Sequence, residues 1–440
     1  MFKNTEIARS LDIDSLRSAF PALSLTHDGA PRTYLDNPAG TQLPQCVLDR
    51  MTTAMVEFNA NLHGSFRTSR QATELIRDAH AAMADMVNAS SPAEIIVGPN
   101  MTTLTFMMSR ALAPLFEPGD EIVLTQMEHD ANHSPWRLMA EERGLVVRTL
   151  PFDTTTYEFD LDELAALVNE RTRFAAFNYA SNILGTINDV ARMCALVRAV
   201  GGITYVDAVQ YAPHGPIDVQ RLGCDLLVAS AYKFYGPHQG ILWGREELLT
   251  RIPAHKLSVV PDVPPNRFET GCQSLAGQAG VLGAVEYLER VGLGLDDWAS
   301  PELADESSLA SRTRAVHAAL RAFATYEETL TDRLVDGLER IDGVRIHGIT
   351  DPAAFARRVP TVSFSRPGTD PAAVAAALDE HGIYVWNGHC YALPVIEHLG
   401  LAESGGVVRI GPTHYNTAEE IDQTLEVLAD VLRAGTTVGR

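Results

Sequence analysis

Short apolar runs alternate with amphipathic stretches of helical length through the first two thirds of the chain. Amphipathic stretches such as Leu161–Asn169 and Cys194–Val200 lie between the apolar runs. Strands that alternate with helices predict a mostly parallel sheet covered on both faces, with ligands bound at the carboxyl ends of its strands. The apolar runs that predict buried strands are Glu94–Gly98, Glu121–Gln126, Val146–Phe152, Arg173–Ala180, Ile203–Val209 and Asp225–Tyr232.

The pattern changes near residue 295. Ala310–Ile341 predicts a long helix, and the later helices Ala372–His381 and Ala418–Arg433 alternate with short apolar runs, which is typical of an α+β unit. We therefore expect two domains. Residues 26–295 form a large α/β domain, and residues 1–25 pack with residues 296–440 in a smaller α+β domain.

Composition narrows the class of protein. A hydrophobic content of 46% and a charged content of 21% are those of a globular protein. The net charge of −21 would repel a phosphate backbone, so we expect no nucleic-acid partner and no anionic membrane surface as partner. No apolar run approaches the roughly 20 residues that span a bilayer. We expect no secretory signal at the start of the chain.

The number and spacing of the cysteines indicate a cellular compartment and bear on whether the protein binds a metal. The five cysteines are scattered, which fits a reducing cytoplasm better than a disulfide framework. Neither a CxxC nor an HExxH motif occurs in the sequence, so no metal is predicted.

Candidate chemistry lies where two of the predicted strands end. Asp207 ends one strand and Lys233 follows another, so both are expected at the same sheet edge. A lysine within the otherwise uncharged SAYKFYGP is costly to bury as an ammonium, but not as an imine (Schiff base) with pyridoxal 5′-phosphate (PLP). Asp207 would then keep the ring nitrogen protonated. Spacing alone is equally compatible with a surface lysine beside a Gly-Pro turn and a helix-capping aspartate.

Several ordered motifs add to this pattern. With them the chain resembles the class-V aminotransferase-fold PLP enzymes, and within these the cysteine desulfurase and selenocysteine lyase branch. The resemblance implies PLP fold type I, an aspartate aminotransferase-like large α/β domain with a smaller α+β C-terminal domain. It also implies PLP as the cofactor, a small α-amino acid as the substrate, and a homodimer with active sites at its interface. The motifs are YLDNPAGTQLP (34–44), QMEHDAN (126–132), SNILGT (181–186), VDAVQ (206–210) and VVRIGPTHYNT (407–417).

The resemblance assigns roles around the cofactor ring. Lys233 forms the Schiff base, and His129 stacks on the pyridine ring. Asp207 faces the ring nitrogen, while Asn182 and Gln210 donate to the phenolic oxygen.

The phosphate of the cofactor is expected at a strand-to-helix turn, where backbone amides suit an anion. GPNMTT provides Asn100 and Met101 as backbone donors, with Ser230 and Tyr232 completing the site. RFETGCQS (267–274) resembles a loop that completes the phosphate site of the other subunit. Cys272 stands there where the family has a hydroxyl residue.

Substrate residues follow from the C-terminal motifs. Arg409 resembles the family's arginine that binds the substrate carboxylate. A planar guanidinium is suited to this role because it can donate two parallel hydrogen bonds to a carboxylate. In GHCYALP the family's cysteine nucleophile aligns with Tyr391, and Cys390 lies one residue earlier. Trp386 replaces a family arginine. His389 is a candidate for proton transfer or for lining the substrate pocket.

Two interpretations of Cys390 remain open: a persulfide nucleophile, or a buried packing thiol, which is the commoner state of unpaired cysteine. The resemblance thus implies a cysteine desulfurase-like lyase with Lys233, His129 and Cys390 as candidate catalytic residues. PLP chemistry without a cysteine nucleophile is the alternative, as an aminotransferase, an epimerase or a β-eliminating C–S lyase. A non-catalytic sulfur-relay or binding protein on the same fold is a third interpretation.

Overall fold

The computed structural model describes residues 11–295 and 309–435. The strands are, in chain order, β1 (Thr26–His27), β2 (Ala30–Pro31), β3 (Thr33–Tyr34), β4 (Ile95–Gly98), β5 (Glu121–Thr125), β6 (Val146–Leu150), β7 (Thr172–Asn178), β8 (Ile203–Asp207), β9 (Leu226–Ser230), β10 (Gly240–Gly244), β11 (Arg345–His347), β12 (Val362–Ser365), β13 (Ile383–Tyr384), β14 (Trp386–Gly388) and β15 (Val407–Ile410).

The described helices are α1 (Ile13–Ser18), α2 (Gln45–Glu57), α3 (Arg67–Val87), α4 (Met101–Leu112), α5 (Ser134–Arg143), α6 (Leu161–Leu167), α7 (Val190–Ala199), α8 (Val219–Leu222), α9 (Glu246–Arg251), α10 (Leu275–Leu293), α11 (Ser311–Glu339), α12 (Pro371–Asp379), α13 (Leu393–His398) and α14 (Ala418–Ala434). Among the helices of these described ranges, none is long and apolar enough to cross a membrane.

The central sheet contains seven strands in the order β4-β10-β9-β8-β7-β5-β6. Neighbouring strands from β9 to β6 pair in parallel, whereas β10 is antiparallel to both of its neighbours. All six predicted strands lie in this sheet, and the expectation of a mostly parallel sheet is confirmed. The β10 run, GILWG, was not predicted as a strand.

Two apolar cores lie on the two faces of this sheet. Strand residues alternate between them: Val206 belongs to one core and its neighbour Tyr205 to the other. Helices α3, α7 and α10 contribute to the first core, and α4 and α5 to the second. The inner strands β9 and β10 are apolar and buried along their whole length, because both of their faces are covered, whereas edge strand β6 is exposed at four of its five residues.

A smaller antiparallel sheet, β11-β12-β15-β14, follows α11. Its core is formed with α11, α12 and α14, and Leu35 from the N-terminal part of the chain packs into it. Strand β3 pairs in parallel with β13, so that residues 33–36 connect the N-terminal segment to this unit. This connection brings Asp36 beside β15, where it bridges to Gly411.

The proposed division into residues 26–295 and residues 1–25 with 296–440 stays a prediction. Its boundary, between residues 295 and 296, falls where the described residues end, and residues 296–308 and 1–10 lie outside them. Within the described part, Arg17 donates to the carbonyl of Tyr415 and to Glu420, which attaches α1 to the C-terminal unit. Phe20 packs edge-on against Tyr235 as well, so the segment also contacts the large unit.

Candidate active site

A cavity of about 550 Å³ opens at the carboxyl edge of the central sheet. Strands β5, β7, β8 and β9 all end at this edge, and β14 and β15 of the small sheet close its other side. Its lining residues include Met101, Thr102, Phe106, His129, Asp130, Asn178, Asn182, Asp207, Gln210, Tyr232, Lys233, Trp386, Cys390, Tyr391 and Arg409.

Lys233 lies in a short 3-10 turn, Ala231–Lys233, directly after β9. Its Nζ donates to the carbonyl of Pro38 and lies 5.1 Å from the centroid of the Tyr232 ring. Burial, reinforced by the positive charge of Arg409, lowers the pKa of Lys233 to about 7. The amine is therefore substantially neutral near neutral pH, which is the form that attacks a carbonyl carbon.

Asp207 ends β8 and is buried. Its Oδ1 accepts from the Val209 amide at 2.9 Å. Burial raises the pKa of Asp207 to about 6, so the carboxylate is still mostly ionised at neutral pH. An ionised carboxylate within an apolar surround is suited to a cationic ring nitrogen.

His129 follows β5 and caps a 3-10 turn, where its Nδ1 accepts from the Ala131 amide at 3.0 Å. Burial, followed by the nearby charges of Lys233 and Arg409, lowers the pKa of His129 to about 4. The imidazole is neutral at physiological pH. A neutral flat ring at this place can stack on another aromatic ring without adding charge.

Asn182 and Gln210 both line the cavity, and the side-chain amide of each donates a hydrogen bond within the protein. Asn182 Nδ2 donates to the Cys390 carbonyl at 2.8 Å, and Gln210 Nε2 donates to Thr361 Oγ1 at 2.9 Å. Asn182 Oδ1 is buried without a hydrogen-bond partner. Both residues line the cavity, and their roles toward the phenolic oxygen stay predictions.

The residues predicted to bind the phosphate, Asn100 and Met101, lie at the N-terminus of α4. Asn100 caps this helix by accepting from the Thr103 amide at 2.8 Å. Gly240 of β10 allows this close approach, because a Cβ there would lie 2.3 Å from the Asn100 carbonyl carbon and 2.7 Å from the Met101 nitrogen. The first amides of the helix remain available to an anion at the cavity wall.

Ser230 and Tyr232 lie across from this helix terminus. Ser230 Oγ is fully buried and lacks a hydrogen-bond partner. Tyr232 stacks on His238 with ring centroids 4.7 Å apart. An unpaired buried hydroxyl is costly in a folded protein, and an anion's oxygen at this place would satisfy it.

These residues fit PLP. The cavity has an ionised carboxylate, a neutral imidazole, a lysine with a depressed pKa and a helix N-terminus, and buried polar atoms without partners lie at Ser230 and Asn182. When bound, PLP would be held by Lys233 and by Asp207, His129 and the α4 terminus. These assignments remain predictions.

Arg409 lies on β15 with its side chain buried in the cavity wall. Its guanidinium Nη2 is 3.2 Å from Asp36 Oδ1, and its Nη1 donates to the Asn182 carbonyl at 3.2 Å. Arg409 Nε has no partner. Asp36 was not singled out from the sequence, although it lies in the YLDNPAG motif, because nothing local marks it as the partner of a residue 373 positions away.

Cys390 and Tyr391 form a strained turn after β14. Both have positive φ, at 47° and 56°. The Cys390 carbonyl accepts from Asn182, and the Tyr391 carbonyl accepts from the Asp130 amide at 2.7 Å. Cys390 is only 5% exposed and packs in a cluster with Met127 and other apolar side chains, and burial raises the pKa of its thiol.

The remaining predicted residues lie further from the cavity. His389 is exposed and is not among the residues that line it; its Nδ1 accepts from the Tyr391 amide at 3.0 Å. Cys272 is exposed, with Sγ 3.8 Å from Asn61 Oδ1. In the same loop Glu269, which was not predicted, accepts from His80 Nε2 and from the Val97 amide, both at 2.7 Å, and attaches the loop to β4.

Comparison with known proteins supports the fold and the cofactor. The model of the family "Aminotransferase class-V" matches residues 33–309 and 300–424. The chain is 32% identical to "Probable cysteine desulfurase 1" of Mycobacterium leprae over 99% of its length, and spans 67% of that relative. It is 31% identical to the cysteine desulfurase of Serratia proteamaculans, covering 94% of this chain and 97% of that one.

A solved structure agrees with these matches. The apo cysteine desulfurase from Thermococcus onnurineus NA1 superposes with a TM-score of 0.83 at 28% identity, covering 96% of this chain and 98% of that one. The predictions of fold type I, of PLP as the cofactor and of an enzyme are confirmed. The chain belongs to the class-V aminotransferase family of PLP-dependent enzymes and is similar to its cysteine desulfurases.

Proposed function

We propose that the protein cleaves the bond between Cβ and sulfur in a cysteine-type α-amino acid. The observation that carries this proposal is the convergence of Lys233, Asp207 and Arg409 in one cavity. Lys233 provides an amine, Asp207 provides a carboxylate that can pair with a cationic ring, and Arg409 provides a planar guanidinium that can bind the substrate carboxylate. The names of the relatives support sulfur chemistry.

Each residue has a distinct task. Arg409 binds the substrate carboxylate through its guanidinium, which fixes the orientation of the Cα–H bond. The Lys233 amine, with its pKa lowered to about 7, removes the Cα proton and can return it. With PLP bound, Asp207 would keep the ring nitrogen protonated, and His129 would pack against the ring. When bound, PLP withdraws electrons from Cα and so makes this proton acidic.

The first candidate for the fate of sulfur is desulfuration. The Cys390 thiolate would attack the substrate sulfur, forming an S–S bond while the Cβ–S bond breaks and Cβ takes up a proton. The products are alanine and a persulfide on Cys390. The position of Cys390 in the cavity wall supports this route.

The second candidate is β-elimination. Cys390 is buried, its thiol pKa is raised, and the carbonyls of residues 390 and 391 are held by Asn182 and Asp130. A thiolate is the reactive form of cysteine, so these features favour a route that does not use it. The Cβ–S bond then breaks with its electron pair on sulfur, and hydrolysis yields pyruvate, ammonia and a free thiol or sulfide.

An amino-acid panel tests both candidates. Purified holoenzyme is incubated with L-cysteine, L-alanine and other amino acids, and mass spectrometry detects both keto acids and altered amino acids. Alanine with transferable sulfur from cysteine supports desulfuration, and pyruvate with ammonia supports elimination. Racemisation or transamination of alanine without C–S cleavage would overturn the proposal, as would a lack of turnover by cofactor-loaded protein.

We also propose a homodimer and a cytoplasmic location, as the resemblance and the cysteine usage imply. Exposed apolar side chains at Met55, Val56 and Phe66 are suited to burial in a subunit interface. Sedimentation velocity of the holoenzyme tests the dimer, and a monomer at micromolar concentration would contradict it.

A further inference from the structure

We propose that the substrate's sulfur carries an apolar, preferably aromatic, group, which binds between Trp386 and Tyr391. The inference rests on the proposed cleavage of a Cβ–S bond and specifies its substrate class. It would make the protein a lyase for S-substituted cysteines rather than for cysteine alone.

The first observation is the aromatic mouth of the cavity. We use this name for Phe106, Trp386 and Tyr391, which all line the cavity. Trp386 is 46% exposed and Tyr391 is 63% exposed, which is unusual for large apolar side chains at a concave site. Apolar surface that remains uncovered in a cavity is suited to an apolar ligand.

The second observation is the register of the small sheet. Trp386 on β14 pairs directly with Arg409 on β15. Directly paired residues in antiparallel strands have side chains on the same face, with Cβ atoms about 4.5–5.5 Å apart. A substrate whose carboxylate binds Arg409 therefore extends past the Trp386 side chain.

Tyr391 also lines the cavity and lies beside His129. Its ring is stacked against the His129 ring, with centroids 5.7 Å apart and an interplanar angle of 29°. The Tyr391 carbonyl accepts from the Asp130 amide, which holds the backbone of this residue in place. A group on the substrate's sulfur that extends from Lys233 and Arg409 would meet the exposed rings of Trp386 and Tyr391, which line the same cavity.

The charges of the cavity agree with an apolar group. Among the described residues that line it, the basic side chains besides His129 are Lys233 and Arg409, and both already have a task. His129 is neutral because burial lowers its pKa to about 4. Asp130 adds a negative charge at the same wall. A side chain with a second carboxylate would find repulsion here, whereas an apolar group finds aromatic contact.

The chemistry balances without a further reactant other than water. Lys233 removes the Cα proton, the Cβ–S bond breaks, and its electron pair leaves on sulfur. The sulfur takes a proton and departs as a thiol bearing the apolar group. Hydrolysis of the remaining three-carbon unit yields pyruvate and ammonia.

The kinetic test compares S-benzyl-L-cysteine with L-cysteine on the holoenzyme, by pyruvate and thiol release. We expect kcat/KM for S-benzyl-L-cysteine to exceed that for L-cysteine by about tenfold or more, because binding buries one aromatic ring. Trp386→Arg should lower this ratio by about tenfold or more, and Trp386→Phe should retain most of it. Leu393→Ala is the matched control, because Leu393 is also 46% exposed and does not line the cavity.

A binding test separates recognition from turnover. The probe is 5-phenylpentanoate, which has the skeleton of S-benzylcysteine without its amine or sulfur, and pentanoate is its control without the ring. We expect calorimetry on the holoenzyme to show about tenfold tighter binding of the phenyl compound, with the advantage lost in Trp386→Arg.

The outcomes are distinguishable from failure of the proposed function. Turnover of cysteine with no preference for S-benzylcysteine or 5-phenylpentanoate overturns this inference alone. Absence of C–S cleavage in every compound overturns the proposed function, whereas the binding test still reports on the aromatic mouth. Dissociation of a dimer on Trp386→Arg, with unchanged ligand preference, would assign these rings to a subunit interface and also overturn the inference.

Discussion

The two walls of the cavity are constructed in different ways. On one wall, Asp207 ends β8 and Lys233 follows β9, and both positions are set by buried strands of a seven-stranded sheet. On the other wall, residues 386–391 leave a three-residue edge strand and turn through two consecutive residues with positive φ. The first wall holds the charged groups that any PLP chemistry needs.

This difference separates cofactor chemistry from selectivity. A residue at the end of a central strand is displaced only by disturbing a packed core, so Lys233 and Asp207 have little freedom. The turn at Cys390 and Tyr391 lies outside the central sheet, and its two carbonyls accept hydrogen bonds from the Asn182 side chain and the Asp130 amide. A one-residue displacement there puts a phenol where the resemblance expects a thiol. We infer that the second wall determines which sulfur compound is cleaved.

The largest expected effect comes from the first wall. Lys233→Ala should reduce turnover of every substrate by more than about 1,000-fold, because it removes both the anchor and the proton carrier. The sequence contains only three lysines, Lys3, Lys233 and Lys256. Borohydride reduction followed by peptide mapping should therefore place the cofactor on Lys233 without ambiguity. Lys256→Ala is the control, and a label on the Lys256 peptide would contradict the assignment.

Arg409 lies where the two walls meet, and its replacement should have the next largest effect. Arg409→Lys keeps the charge but loses the planar fork, so kcat/KM should fall by about tenfold to a hundredfold, as expected for a charge-assisted hydrogen bond. Steady-state kinetics measures this loss. Arg333→Lys is the control, since Arg333 pairs with Asp422 at the surface. An unchanged kcat/KM in Arg409→Lys would show that the substrate carboxylate binds elsewhere.

A pH effect of about tenfold should come from the same lysine. Because the pKa of Lys233 is lowered to about 7, its neutral fraction rises about tenfold between pH 6 and pH 8 and then levels off. The rate at which apoprotein captures PLP, followed by absorbance, should show this profile. The rate at which Nα-acetyl-lysine captures PLP at each pH serves as the reference that corrects for the ionisation of PLP itself. A rate that rises about a hundredfold over this range without levelling would indicate an ordinary lysine pKa.

The first wall could be predicted from the sequence because its signals are local. Apolar runs mark the strands, parallel strands end at one edge, and Asp207 and Lys233 come directly after two of them. Strand β10 was missed because GILWG is a five-residue run bounded by glycines, and its antiparallel pairing depends on β4 and β9. The fold class and the cofactor were confirmed, whereas the roles of single residues stay predictions.

The second wall could not be predicted in the same way. The ion pair of Asp36 with Arg409 and the register of Trp386 against Arg409 join residues that are distant or in different strands, and no local pattern reports them. The resemblance marked Cys390 as displaced, but only its backbone geometry shows that its carbonyl is bound by Asn182. His389, predicted as a proton-transfer or pocket residue, is exposed and is not among the residues that line the cavity, and its role stays a prediction.

The smallest expected effect tests the second wall most directly. Cys390→Ser and Cys390→Ala should change kcat/KM on a true substrate by less than about threefold, because a buried thiol with a raised pKa provides little thiolate. Cys272→Ser, at an exposed cysteine, is the control for general effects of removing a thiol. A loss of about 100-fold or more in both Cys390 variants, with the cofactor still bound, would identify Cys390 as the nucleophile. The turn would then have to open during catalysis, breaking its hydrogen bonds to Asn182 and Asp130, and selectivity would no longer be separable from the sulfur chemistry.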